Sequence, residues 1–297
     1  MHETAHVTTQ PNRTARDLGP SDLVWDHFSR PRADDTVAKI YAAEAARYAA
    51  IGLYLGVWAA LRDDPAELER VDAALAETGL VVANIETLRG WAVPGGESEE
   101  AFRRQEALAY EMAAHWGCRY VQVIGDASGP LDRAGAGFAA LCDRAAEHGL
   151  LVGLEWVPSM TNIGDAATAV QIVTDADRPN GGLCVDSWHF TRSTNNLDDL
   201  RNLPGAKVMA TQWNDGTVAH RHTNSAADYL QDCLTNRVPP GDGEFALVEI
   251  VRILDAIGST APIGVEVCSA ELWAAPVDHA ATVSADAMRA LLADARG

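Results

Sequence analysis

A short strand-like run followed by a helical stripe recurs eight times along this chain, and few folds accommodate that order. The strand-like runs are 23–29 (LVWDHFS), 53–58 (LYLGVW), 81–86 (VVANIE), 119–125 (RYVQVIG), 151–156 (LVGLEW), 182–186 (GLCVD), 208–213 (VMATQW) and 263–267 (IGVEV). Residues 34–50, 65–78, 98–116, 131–148, 165–176, 197–203, 244–257 and 279–294 are predicted to be the intervening helices. Asp64 and Pro65 form a start signal for the second of these, and Gly52, Gly79, Gly117 and Gly149 punctuate helix ends before new strands. Alternation of this kind requires a parallel sheet, and eight units in 297 residues predict an α/β fold, a single (β/α)8 barrel. An open doubly wound sheet is disfavoured, because no glycine-rich phosphate fingerprint follows the first strand.

A hydrophobic content of 47% supplies a large core, yet no stretch of 18 apolar residues occurs, so a membrane span is not expected. Residues 1–20 are polar and read as a disordered or loosely attached arm without a secretory signal, which leaves 21–297 for the barrel. The formal net charge of −19 repels a phosphate backbone and argues against a nucleic-acid partner. Five scattered cysteines without a CxxC pair read as reduced thiols, as expected of a cytoplasmic protein.

In barrels of this type, reacting groups stand where strands end and loops begin. Glu155, Asp186, Gln212 and Glu266 close the fifth to eighth strands. Each alone could be a cap or an ion-pair partner. Together, three carboxylates and an amide oxygen in register would repel one another unless something positive lay between them. Such a ligand set suits a hard divalent cation, Mn2+ or Mg2+, with Co2+ able to substitute. A structural zinc site would require a Cys/His cluster, and none is present.

The motifs LEW at Glu155, VDSWH at Asp186 and His189, TQWND at Gln212, RVPPGDGEF at 237–245 and GVEV at Glu266 resemble the xylose isomerase-like barrel superfamily of sugar phosphate isomerases and epimerases. The resemblance covers roughly residues 22–295. It implies that Glu155, Asp186, Gln212 and Glu266 bind the metal, and that Glu155 and Glu266 act as an acid/base pair. It further implies that His189 and Arg237 hold substrate oxygens, and that the protein is a homodimer or homotetramer. Gln212 stands where many members carry His. Gln also occurs there in members resembling hydroxypyruvate isomerases and 3-dehydroshikimate dehydratases.

Two carboxylates on opposite faces of an α-hydroxy-carbonyl compound can remove a proton and return it, the chemistry of an isomerase or epimerase. If a β-hydroxyl leaves instead, the enzyme is a dehydratase resembling those of inosose or 3-dehydroshikimate. A Schiff-base route is discounted, since Lys39 lies in a helix and Lys207 at the wrong end of a strand. An abasic-site endonuclease would need extra histidines on the second and third strands, which are absent. A non-catalytic sugar-binding barrel is disfavoured by the presence of both glutamates.

Seven tryptophans, Trp25 and Trp188 among them, fall at or after strand ends and predict an aromatic-walled pocket for a cyclic, carbohydrate-like substrate. Arginines near the rim are few, which disfavours a phosphate cradle. Glu86, Arg89 and Asp126 are candidate specificity residues, with a plain capping or surface role as the alternative. The segment 215–235 reads as an insertion, serving as a lid, an oligomer contact or a surface loop.

Overall fold

The computed structural model describes residues 13–31, 36–92, 97–218 and 225–297. Strands β1 (Leu23–Trp25), β2 (Ala50–Tyr54), β3 (Val81–Leu88), β4 (Tyr120–Ile124), β5 (Leu151–Glu155), β6 (Gly181–Asp186), β7 (Val208–Trp213) and β8 (Ile263–Val265) close into a barrel in sequence order. Every neighbouring pair is parallel, including β8 with β1. Around them run α1 (Thr36–Ala45), α2 (Leu55–Arg62), α3 (Pro65–Thr78), α4 (Glu97–Trp116), α5 (Ala134–Glu147), α6 (Ala166–Ala176), α7 (Ser187–Arg192) and α8 (Leu197–Arg201). The outer layer continues with α9 (Ala226–Thr235), α10 (Leu247–Ala256), α11 (Ala270–Ala274) and α12 (Val277–Arg296). The expected (β/α)8 barrel is therefore present. No helix among the described residues is long and apolar enough to cross a membrane.

Local signals explain most boundaries. The Asp64 side chain accepts from the Glu67 N–H, Pro65 opens α3, and Gly79 ends it at φ 71°. Gly117 and Gly149 adopt the same left-handed conformation, at φ 68° in both cases. Two expectations need correction. The run 53–58 is mostly helix, because Leu55, Trp58 and Leu61 are buried at three-residue spacing and form a helical stripe. Gly52 is no helix stop. It lies inside β2, where a Cβ would collide with the side chains of Asn84 and Glu86.

Interior side chains are layered by the two-residue period of the strands. At the N-terminal end, Ala15 and Leu18 pack against Val24, Ala50 and Ala83 and plug the barrel. Arg16 Nη2 donates to the Gly149 carbonyl and Arg119 Nη1 to that of Leu18. Residues 13–18 are thus docked where a loose arm was expected. Residues 1–12 lie outside the described part. The next layer holds Tyr120, Cys184 and Ala210. Two residues further along the same strands stand Gln122, Asp186 and Gln212.

Candidate active site

The C-terminal ends of the strands gather a dense group of buried charges. Asp26, Glu86, Glu155, Asp186 and Glu266 are five buried carboxylates, accompanied by the buried cations Lys39 and Arg237. Small residues make the room. A Cβ on Gly264 would meet the Asp26 carboxylate, as one on Gly52 would meet Glu86.

Arg237 answers part of the question of what separates the acids. Its Nη1 donates to Asp186 Oδ2 and to Glu266 Oε2, each at 2.9 Å. Nε donates to the Cys233 carbonyl at 2.9 Å, and Nη2 lies 3.0 Å from Cys233 Sγ. The guanidinium reaches the cavity wall, where it is the counter-ion of two carboxylates. Burial pushes Asp186 up, but Arg237, His189, Asn214 and the Trp188 N–H outweigh it, so the carboxyl stays below its ordinary range. Glu155 and Glu266 are both raised well above theirs, chiefly by burial, with Arg237 opposing.

The other predicted ligands fall into the same group. Gln212 Nε2 donates to Glu266 Oε1 at 2.9 Å. Glu155 Oε2 accepts from Gln122 Nε2 at 2.6 Å. His189 places Nε2 3.4 Å from Glu155 Oε1 and Nδ1 2.6 Å from the Tyr229 hydroxyl. Burial pushes this imidazole down to about 4, so its neutral form prevails at neutral pH.

Ligand atoms of Glu155, Asp186 and His189 lie within 4.8 Å of one another, all buried, and form a group able to hold a metal ion. His189, expected only beside the substrate, therefore stands within ligating reach. The donor chemistry fits a divalent cation. Two buried cations do not balance five buried carboxylates, and Asp26 Oδ2 and Glu86 Oε2 have no hydrogen-bond partner among the described residues.

Beside these groups lies a cavity of about 180 Å³. Its polar lining is Gln122, Glu155, His189, Arg237 and Glu266, and its walls include Phe28, Ile124, Val157 and Met160. α9 closes one side with Leu230, Cys233 and Leu234. This part of the 215–235 segment is a cavity wall; residues 219–224 lie outside the described part.

The tryptophan wall is not realised. Trp25 and Trp188 are fully buried and do not line the cavity. Trp25 stacks on Tyr48 at 5.7 Å, and Trp188 packs against Phe245 and the guanidinium of Arg192. Trp156 and Trp213 directly follow Glu155 and Gln212, so the alternation of a strand turns them to the opposite face. Glu86 also stops short of the cavity: its Oε1 accepts from Asn84 Nδ2 at 2.6 Å. Burial raises it to about 7.

Four residues of this region escaped the sequence reading as site members. Gln122 shared the strand register of the ligands, a signal that was available. Tyr229 had no such signal, because α9 follows a segment without strand or barrel periodicity. Asp26 was visible only as part of a run read as strand. Lys39 leaves its helix inward, donating to the carbonyls of Asp26 and Gly52 at 3.0 and 3.3 Å. Burial lowers it to about 8 against the pull of Glu86 and Asp26.

Comparison with known proteins agrees with this architecture. Residues 40–293 match the family described as the xylose isomerase-like TIM barrel. A 3-dehydroshikimate dehydratase of Pseudomonas aeruginosa is 28% identical over 197 residues, covering 66% of this chain and 30% of that protein. An inosose isomerase of Bacillus subtilis is 28% identical over 144 residues, covering 47% of this chain and 48% of that one. The matched region thus spans less than half the length of either relative. The zinc-bound IolI protein superposes with a TM-score of 0.80 at 18% identity, covering 92% of this chain and 98% of that one. D-allulose 3-epimerase of Methylomonas sp., in complex with D-allulose, gives 0.69 at 17% identity, covering 92% and 97%. At these identities, the two structures establish the fold. With the family match spanning most of its length, the chain belongs to the xylose isomerase-like TIM barrel family.

Proposed function

We propose that this protein is a divalent-metal-dependent isomerase or epimerase of a small, sugar-like or cyclic α-hydroxy-carbonyl compound. The observation that carries this reading is the pair Glu155 and Glu266 lining one cavity within a group of five buried carboxylates at the strand ends that Lys39 and Arg237 accompany. Glu155, Asp186, Gln212 and Glu266 would hold Mn2+ or Mg2+, with His189 within reach of the same position. A bound divalent ion supplies Lewis-acid polarisation of a carbonyl and so acidifies the neighbouring C–H.

The chain's own groups handle the proton. Arg237, 2.9 Å from Glu266 Oε2, opposes the rise that burial gives this carboxyl, and Glu266, ionised when a divalent cation is held beside it, would take the α-proton. Glu155, flanked by Gln122 and a neutral His189, holds the proton to be returned. Return to the neighbouring carbon gives an isomerase, and return to the opposite face of the same carbon gives an epimerase. The apolar walls and α9 would shield the reacting carbon on the sides that they cover.

A second reading, metal-dependent dehydration, is favoured by the relatives. The alignment with the Pseudomonas aeruginosa dehydratase covers more of this chain than that with the Bacillus subtilis inosose isomerase, 66% against 47%. In that reaction, the His189 ring would face the departing hydroxyl.

Proton NMR in D2O with cyclic and acyclic α-hydroxyketones separates the two. Metal-restored protein is expected to wash deuterium into the α-position with every hydroxyl retained, and Glu155→Gln and Glu266→Gln are expected to abolish it. Loss of a β-hydroxyl would select the dehydratase. Exchange that persists in both variants or without metal would remove the proposal.

A further inference from the structure

One arrangement of side chains occurs twice at the strand ends. Gln122 on β4 stands in register with Gly153 on β5, and Glu155 follows two residues beyond that glycine. Gln212 on β7 stands in register with Gly264 on β8, and Glu266 follows two residues beyond that one. The donors run the same way in both. Gln122 Nε2 donates to Glu155 Oε2 at 2.6 Å, and Gln212 Nε2 donates to Glu266 Oε1 at 2.9 Å.

The two glutamines also meet. Gln122 Nε2 donates to Gln212 Oε1 at 3.4 Å, and Gln212 Nε2 donates back to Gln122 Oε1 at 3.3 Å. Glu155, Gln122, Gln212 and Glu266 thus form one continuous hydrogen-bonded row, and all four side chains are buried. Each amide nitrogen has two hydrogens, and both are engaged, one by a carboxylate and one by the other amide. Turning either amide over would set its oxygen against a carboxylate oxygen, so the orientation of each glutamine fixes that of the other. The chemistry above gives Gln212 a place beside the cation, and the row leaves Oε1 as the atom it can offer there. Gln122 has no part in that chemistry.

We infer that Gln122 is a positioning residue of the acid/base pair: through Gln212 it ties the carboxylate of Glu155 to that of Glu266. The inference rests on the catalytic reading given above and deepens it. A proton taken by one carboxylate and returned by the other requires both to be aimed at one small molecule. A misplacement of about 1 Å at either costs on the order of a hundred-fold in rate. Two like charges left to themselves would turn apart. The paired amides present N–H to both, and so hold each carboxylate from the side while its second oxygen stays available.

The test reads the bridge and its effect separately. Gln122→Met keeps the length of the side chain and removes the amide. NMR of chelator-treated protein, labelled at its glutamine side-chain nitrogens, reads the bridge. The amide hydrogens of Gln122 and Gln212 are expected to exchange with D2O at least about ten-fold more slowly than those of the exposed Gln171 and Gln231. Gln122→Met is expected to delete one of the two slow signals and displace the other. Fast exchange of both amides, or a Gln212 signal that stays in place in Gln122→Met, would overturn the inference.

The effect is read in Mn2+-loaded protein, on the α-hydroxyketone that the native protein exchanges fastest. Gln122→Met is expected to lower kcat for deuterium wash-in by about ten- to a hundred-fold with KM little changed, the worth of a hydrogen bond to an ionised group. Gln122→Asn keeps an amide but is too short to span both partners, and is expected to show the same loss, so the result does not hang on one variant folding. An unaltered kcat, or a loss confined to KM, overturns the inference and leaves the catalytic reading standing. Native protein that exchanges no ketone removes the catalytic reading and this role with it, whatever the amide signals show.

Discussion

The hydroxyl of Tyr229 on α9 lies 2.6 Å from Nδ1 of His189 on α7, with the two rings nearly parallel at 21°. Burial keeps this imidazole neutral, so one ring nitrogen carries the proton, and the contact couples that choice to the orientation of the tyrosine hydroxyl. Tyr229 therefore holds the ring of a residue in the cavity lining. Tyr229→Phe keeps the stacked ring and removes only the hydroxyl. The expected result is a kcat lower by about three- to ten-fold with KM little changed, the size of one hydrogen bond. Steady-state kinetics on the substrate found by the exchange screen check this. An unaltered kcat would show that the ring needs no help to hold its orientation.

Arg237 should matter more to the metal-free protein than to the loaded one. Arg237→Met strips Asp186 and Glu266 of their buried partner, which costs about 3–5 kcal/mol when nothing replaces it. Chemical denaturation with chelator present is expected to show that loss. Saturating Mg2+ or Mn2+ should recover part of it, since a divalent ion supplies the missing positive charge. A loss of equal size with and without metal would mean that the ion does not sit among these carboxylates.

Glu86 makes stability depend on pH. Its native pKa of about 7 exceeds its ordinary value of 4.5, so the folded protein keeps a proton that the unfolded chain releases first. The contribution is complete below about pH 4.5 and is lost as pH rises through 7, on the order of 3 kcal/mol. Melting curves of chelator-treated protein between pH 5 and pH 8 should fall more steeply for the native protein than for Glu86→Gln. Identical slopes would show that Glu86 is ionised throughout. Divalent metal should raise the melting temperature more at pH 8 than at pH 5, because it competes with protons for carboxylates.

Gly52 offers a purely steric test. A Cβ there would meet Asn84 and Glu86, whose positions are fixed by their mutual hydrogen bond at 2.6 Å. Gly52→Ala should destabilise the protein by about 1–3 kcal/mol, as overpacking of a closed interior does. Ordinary melting behaviour in this variant would mean that the pair can move aside.

The part of the site legible in the sequence was the part governed by strand register. Glu155, Asp186, Gln212 and Glu266 could be aligned because strand ends in a parallel barrel are equivalent places, and the structure brings them together as buried neighbours. The tryptophans were misjudged by the same rule incompletely applied: a residue next to an inward ligand faces outward. Contacts made by helices were hidden. Lys39 and Tyr229 reach the centre from α1 and α9, and helical periodicity tells which face is covered without telling what lies beneath it. The boundary of β2 was also obscure, since Leu55, Trp58 and Leu61 form a stripe within a run that reads equally well as a buried strand.

α9 is tied to the barrel by three polar links: Tyr229 to His189, Asp232 to Arg192, and the Cys233 carbonyl to Arg237. Its apolar side chains, Leu230 and Leu234, are what a ligand would touch. The ionisable groups thus come from the strand ends, while one side of the wall that a ligand would meet comes from a single ten-residue helix. A descendant of this chain could change its diet by rewriting two leucines while leaving every ionisable group of the centre where it stands.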